Sequence, residues 1–228
     1  MPKKELILGI DDAGRGPLIG PMALAGCLIP KDLEKEFKEL GVRDSKTLTP
    51  KRREALAEMI REKSLKYEFV LAFPKKIDSS IQNGTNLNKV EAMEAAEIIN
   101  KITKGVKEKV KVVIDCPSPN REAWKNQVLE FVEDVSNLEV FCEHKADRDY
   151  LVVSAASILA KSVRESEISK IKKRIGKDFG SGYPNDPLTK EFLEKYAEEH
   201  RNNGLFRESW ATFRNHKKKN EQKNLFDF

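Results

Sequence analysis

The apolar residues of this 228-residue chain come in short aliphatic blocks bounded by glycine, proline or charge, and that spacing limits the fold more than any other feature. Residues 6–10, 22–29, 65–73, 110–114 and 138–142 are too short for buried helices, are rich in aliphatic, β-branched or aromatic side chains, and read as strands. Helical patterns lie between and after them. Thr49-Pro50 offers an N-cap and a first-turn proline for a helix over 51–63, with Leu56, Met59 and Ile60 at helical spacing. Asn86 can cap a second helix to about Ile102, striped by Val90, Met93, Ala96, Ile99 and Ile102. A third over 121–133 places Trp124, Val128 and Phe131 on one face, and His144 to Asp147 lead into a long helix, apolar at first (152–160) and charged later (161–174). Asp186-Pro187 starts another helix to about Arg201, and a last one runs from Phe206 towards His216. Strands first, helices gathered after them, imply an α/β domain with a mixed central sheet flanked by helices, plus a C-terminal helical extension. The expected divisions are 1–185, 186–218 and a tail, 219–228.

No uncharged run approaches the roughly 20 apolar residues a membrane helix needs, since the longest, 16–30, carries three prolines. Cys27, Cys116 and Cys142 are odd in number and far apart, which suits neither a disulfide framework nor a cysteine zinc site, so a reducing, cytoplasmic setting is expected. The net charge of +5 is placed unevenly: residues 1–160 balance, whereas 161–219 hold 15 Lys and Arg against 9 Asp and Glu. A basic last third suits a polyanionic partner, although a solvated helical face with surplus lysine would look the same.

The chemistry concentrates in acids at the ends of strands. Asp11 and Asp12 close the first apolar run, and carboxylates delivered to the edge of a core are costly unless a cation compensates them. Side chains alternate along a strand, so both acids can meet one ion only if the strand ends or bulges there. Asp115 closes a β-branched run, and Asp147 stands where a helix opens. Together the four could hold one or two hard cations through oxygen ligands. Taken singly, Asp147 could instead be a helix cap, and Asp115, before Pro117, a turn residue.

The run Gly9-Ile10-Asp11-Asp12-Ala13-Gly14-Arg15-Gly16-Pro17, continued by Ile19-Gly20-Pro21, resembles the signature of the type 2 ribonucleases H, or ribonuclease HII. Further matches follow in order: Asp44-Ser45-Lys46, Asp115, His144-Lys145-Ala146-Asp147, the stretch 153–161 and the stretch 180–187. The pattern is most similar to archaeal members. The resemblance implies a ribonuclease H-like fold and an endonuclease that hydrolyses the RNA strand of RNA–DNA hybrids and cuts 5′ of ribonucleotides embedded in duplex DNA. It implies two-metal catalysis with Mg²⁺ or Mn²⁺, leaving a 3′-hydroxyl and a 5′-phosphate. The family's metal-site acids fall on Asp11, Asp12, Asp115 and Asp147; its 2′-hydroxyl reader on Gly14, Arg15 and Gly16; its stacking tyrosine on Tyr183; phosphate-side contacts on Lys46, Ser154, Ser157 and Lys161. One departure stands out: most of the family has glutamate where this chain has Asp12.

Gln222, Leu225 and Phe228 resemble the peptide by which replication and repair proteins bind a sliding clamp, although the following aromatic is missing and a frayed terminus is the simpler reading. Expected partners are therefore hybrid or ribonucleotide-containing duplexes and a clamp, with no membrane, and the chain is expected to be a monomer. The alternatives are a metal-dependent phosphatase or nucleotidyl transferase on the same fold, or a non-catalytic hybrid-binding module. The Gly-Arg-Gly turn and the segment around Tyr183 argue against small phosphate esters, which need neither.

Overall fold

A computed structural model describes residues 5–42 and 48–226, with backbone alone at 220 and 223–226. The elements run β1 (Leu6–Ala13), β2 (Met22–Pro30), α1 (Leu33–Glu39), α2 (Pro50–Lys63), β3 (Lys66–Ala72), α3 (Pro74–Gln82), α4 (Leu87–Thr103), β4 (Val110–Asp115), α5 (Arg121–Leu129), β5 (Leu138–Glu143), α6 (Ala146–Asp149), α7 (Leu151–Ile175), α8 (Pro187–Tyr196) and α9 (Ala211–Phe226). The chain divides into two compact units: one comprises residues up to Ala13, Ala23–Leu71 and Leu87–Arg164; the other comprises Gly14–Met22, Ala72–Asn86 and the chain from Glu165 on.

The strands form one five-stranded sheet in the order β3-β2-β1-β4-β5. β1 runs antiparallel to β2 and parallel to β4, and β4 is parallel to β5, so the sheet is mixed, as expected. Its central strand is the apolar run that opens the chain, buried at every position from Leu6 to Asp11. In the first unit a core cluster joins Ile7, Ala25, Cys27, Ile29 and Val113 of the sheet to Leu56, Ala57 and Ile60 of α2 and to Val152, Val153, Ala155 and Leu159 of α7. Local signals explain the helix starts: Thr49 Oγ1 accepts the Arg52 amide with Pro50 following, and Asn120 Oδ1 accepts the Ala123 amide. On α4 four residues of the expected stripe, Val90, Ala96, Ile99 and Ile102, are buried together with Ala92, Ala95 and Ile98, and only Met93 of that stripe is exposed.

The second unit has its own core, in which Leu18 and Ile19 meet Ile168, Ile171, Phe179, Phe192, Leu193, Leu205, Phe206 and Phe213. Asp186 caps α8 by accepting the Leu188 amide at 2.9 Å. The last helix starts at Ala211 rather than at Phe206. The reason is that residues 205–207 spend their backbone on the segment after β1: Gly20 N donates to Leu205 O, Arg207 N donates to Leu18 O, and Ile19 bridges Phe206. Further differences from the sequence reading concern helices: α5 stops at Leu129 rather than near 133, and α8 at Tyr196 rather than near Arg201. α1 and α3 were not expected, and the long helix is two: α6 ends at Tyr150, whose extended backbone (φ −120°, ψ 118°) separates it from α7.

Candidate active site

In the first unit, sheet register brings the acids together. The parallel ladder of β1 and β4 ends at Ile10 opposite Ile114, and Asp11 and Asp115 are the next residue on each strand. On its other edge β1 stays paired through Ala13 opposite Ala23. The strand therefore neither ends nor bulges at the acids, against the expectation; it is released from one neighbour only, at the carboxyl end of parallel strands, where α/β proteins build ligand sites. Asp11 is buried and Asp12 half-buried, and the Asp11 carboxylate turns back to accept the Asp12 amide at 2.7 Å.

Asp115 Oδ1 accepts the Ala146 amide at 2.7 Å, so the first peptide of α6 holds this carboxylate in place. Asp147 lies in the first turn of α6 and is not its cap; that position belongs to Lys145, in the left-handed region at φ 59°. Opposite Asp115, Glu143 is engaged by Arg121. Burial, then the charges of Asp12 and Asp115, push the Asp11 carboxyl well above its ordinary range, opposed by a hydrogen bond from Ser157 and by the Asp12 amide. Ser157 is itself buried and accepts from Lys161 Nζ at 3.2 Å, making a relay from α7 to Asp11. Ser154, one turn earlier, is buried, and its hydroxyl makes no hydrogen bond among the described residues. Lys46 lies outside the described residues.

These acids fit a hard divalent cation in donor chemistry: the set is oxygen-only, and the burial, with the neighbouring negative charge, that raises Asp11 is what a cation would offset. Among the described residues no three His, Cys, Asp or Glu side chains converge as a finished cage. His144 stands apart, its Nε2 contacting Ser118 O at 2.7 Å.

In the second unit the residues following Asp12 in sequence form a strapped turn. Gly14 takes φ 82°, which a side chain would strain, while Gly16 is exposed and a Cβ there would stand 3.7 Å from the ring of Tyr183, an ordinary contact. Leu18 and Ile19 amides both donate to Gly182 O, and Gly182 N donates to Thr189 Oγ1. The loop carrying Tyr183 is thus fixed against the turn, with Tyr183 itself 43% exposed. On the carbonyl side of the turn stand Arg207 and Trp210, which sequence reasoning missed; a lone arginine inside Leu205-Phe206-Arg207 was the available signal. Gln222 is exposed on α9, Leu225 falls within the backbone of α9, and Phe228 lies outside the described residues.

A family model described as Ribonuclease HII matches residues 8–213. The chain belongs to the ribonuclease HII family. A ribonuclease HII of Methanococcus maripaludis strain C6 is 43% identical over 228 residues, covering 98% of this chain and 92% of that one. The crystal structure of the ribonuclease H2 from Pyrococcus horikoshii OT3 superposes with a TM-score of 0.82 at 34% identity, over 94% of this chain and 98% of that one. An Archaeoglobus fulgidus RNase HII, solved in complex with PCNA, gives 0.78 at 36%, over 90% and 95%. The mixed sheet with its helices and helical C-terminal region is therefore a ribonuclease H-like fold, and the chain is a ribonuclease H, an endoribonuclease that hydrolyses phosphodiester bonds. No helix among the described residues is long and apolar enough to cross a membrane.

Proposed function

We propose that this ribonuclease HII hydrolyses the RNA strand of RNA–DNA hybrids and cuts on the 5′ side of ribonucleotides embedded in duplex DNA, leaving a 3′-hydroxyl and a 5′-phosphate. The observation that carries the reading is the sheet register that sets Asp11 and Asp115 one residue beyond the last paired residues of β1 and β4, at the carboxyl ends of two parallel strands, with Asp12 beside Asp11. Such a cluster is costly for a folded protein unless it serves a cation. Asp11, Asp12, Asp115 and Asp147 would hold Mg²⁺ or Mn²⁺, which would supply activation of the attacking water and stabilisation of the leaving 3′-oxygen. The protein's own part is orientation. Ser157 donates to Asp11, Lys161 donates to Ser157, and the Ala146 amide fixes Asp115, so the carboxylates are placed before substrate arrives.

Substrate choice rests on the other unit. Backbone groups of Gly14, Arg15 and Gly16 would read the ribose 2′-hydroxyl, a donor and acceptor that DNA lacks, and Tyr183 would stack on the deoxyribose that follows. Gly16 has no steric need for glycine within the protein, since its φ is ordinary and a Cβ meets only the Tyr183 ring at contact distance. Room for an approaching sugar is the remaining reason. Lys46, Ser154, Ser157 and Lys161 would make phosphate-side contacts. By analogy with the Archaeoglobus fulgidus complex, the tail at Gln222, Leu225 and Phe228 would bind a sliding clamp. Three free, buried cysteines accord with a reducing cytoplasm.

The test is cleavage of a duplex carrying one embedded ribonucleotide, beside its all-DNA control, with Mg²⁺ and with Mn²⁺. Metal-dependent cutting 5′ of the ribonucleotide alone is expected. Equal cutting of the all-DNA duplex would overturn the substrate assignment, and cutting undiminished by a chelator would overturn the role given to the acids.

A further inference from the structure

Arg207 is fully buried and is the largest such side chain among the described residues. A guanidinium keeps its charge when buried, so its five N–H groups must be met inside the protein. Backbone carbonyls meet three of them. Nη2 donates to Gly14 O at 2.6 Å, Nη1 to Arg15 O at 2.7 Å and Nε to Gly20 O at 3.1 Å. The backbone amide of Arg207 adds a bond to Leu18 O at 2.9 Å. Three residues on, Trp210 lies with its ring centroid 5.0 Å from the guanidinium and donates from Nε1 to Gly16 O at 3.3 Å. Two side chains of one short segment therefore hold three successive carbonyls, those of Gly14, Arg15 and Gly16.

A trans peptide sets its N–H opposite its C=O. Drawing the Gly14 and Arg15 carbonyls towards Arg207 turns the Arg15 and Gly16 amides the other way, away from Arg207, in a turn whose Gly16 is exposed. We propose that Arg207, assisted by Trp210, is a positioning residue that presets the Gly14–Gly16 turn for ribose and so sets the discrimination between ribonucleotide and deoxyribonucleotide. This rests on the reading of that turn as the 2′-hydroxyl contact. Neither residue touches substrate; they act through the backbone they hold. The fork matters, since the acceptors are separate carbonyls met by separate nitrogens, and a lysine ammonium is a single point donor that cannot span them. A carbonyl deprived of its partner is free to swing, carrying the adjoining amide out of register with a bound ribose.

The experiment measures dissociation constants for a duplex with one ribonucleotide and for its all-DNA counterpart, in an Asp115→Asn background that prevents turnover, with Arg207→Lys and Trp210→Phe as the variants. The ratio of the two constants is the readout, because general loss of stability lowers the folded fraction equally for both duplexes. Each variant should reduce the ratio by about tenfold, the scale of one well-placed hydrogen bond lost, while all-DNA affinity stays within about twofold. Trp210 is only half-buried, and phenylalanine keeps an aromatic face for the guanidinium, so Trp210→Phe decides the matter should Arg207→Lys fail to fold. A parent that binds both duplexes equally overturns the reading of the turn and the inference with it. A parent that discriminates, with folded variants that discriminate just as well, overturns the inference alone.

Discussion

Replacing Gly9 by alanine isolates the close approach on which the acid cluster depends. Gly9 lies on the central strand, paired with Cys27 on one side and Val113 on the other, so it cannot retreat within the sheet. A Cβ at this position would stand 2.4 Å from both C and O of Val152 and 2.7 Å from Val153 N, all backbone atoms of the first turn of α7. No side-chain rotation relieves such a clash. The helix must lift by about 1 Å, and overpacking that rigid elements cannot absorb belongs at the upper end of the usual range, about 3 kcal/mol. With a urea m-value of about 3 kcal/mol/M, the unfolding midpoint should fall by about 1 M. Gly26→Ala is the comparison: its Cβ would come within 2.6 Å of Ile98 Cγ2, 3.2 Å of Ile102 Cδ1 and 3.3 Å of Ile10 Cγ1, side-chain atoms on a helix and a strand rather than backbone. That substitution should cost less, about 2 kcal/mol. Because α7 also carries Ser157 to Asp11, the folded fraction of Gly9→Ala should turn over on the order of 100-fold more slowly, as expected of a misplacement of about 1 Å. Urea unfolding followed by circular dichroism, with single-turnover cleavage on the same samples, reads both effects. If Gly9→Ala proves no more destabilising than Gly26→Ala, the packing argument is wrong.

Asp115→Asn should abolish turnover while leaving hybrid affinity within about fourfold, because an amide oxygen can still accept from Ala146 N but the ligand charge is gone; undiminished cleavage would remove Asp115 from the site. Asp12→Glu restores the side chain common in the family and should raise Mg²⁺-supported relative to Mn²⁺-supported activity, since Mg²⁺ tolerates a misplaced ligand poorly; an unchanged or lower ratio refutes this. Asp186 is held below its ordinary 3.8 by the Ser181 hydroxyl and amide, then by the Leu188 and Thr189 amides. A depressed folded-state pKa means that its stabilisation is complete above that ordinary value and is lost as pH falls through the lower one, so Asp186→Ala, which removes the α8 cap at a cost of about 1 kcal/mol at pH 7, should cost less as the pH is taken below 3.8, read by thermal melting across that window.

The strands were legible because short apolar runs between breakers admit few other readings, and the observed β1, β2, β4 and β5 extend the expected runs by at most three residues at an end. What escaped notice has local causes. α1 buries only Phe37 among charged neighbours and has no side-chain cap, so neither periodicity nor a start signal marks it. α3 does begin at a first-turn proline, but Pro74 follows Phe73, which continues the alternating pattern of β3, and the strand signal masks the helix start. The break at Tyr150 involves neither glycine nor proline; an extended backbone at a tyrosine leaves no mark in composition.

For the site, residue types were legible and arrangement was not. Asp11 and Asp115 stand 104 positions apart, and only the register of β1 on β4 makes them neighbours. Because strand side chains alternate, Asp11 and Asp12 were expected to share an ion only if the strand ended or bulged there; the sheet instead ends the β4 ladder at Ile10 while the β2 ladder continues through Ala13. A strand released from one neighbour keeps its regular alternation, and no local pattern marks where one of its two ladders stops. Arg207 is the harder case. In isolation it reads as one more cation in the basic last third, and composition assigns it to solvent. Its burial is dictated by acceptors on Gly14, Arg15 and Gly20, which lie 187 to 193 residues earlier. Those carbonyls are available because a turn with Gly14 at positive φ leaves them outside the regular ladders. The glycines of the motif thus have an effect beyond their own positions: by opening the backbone they create the need that a distant arginine fills, and a reading confined to the motif sees only half of the device.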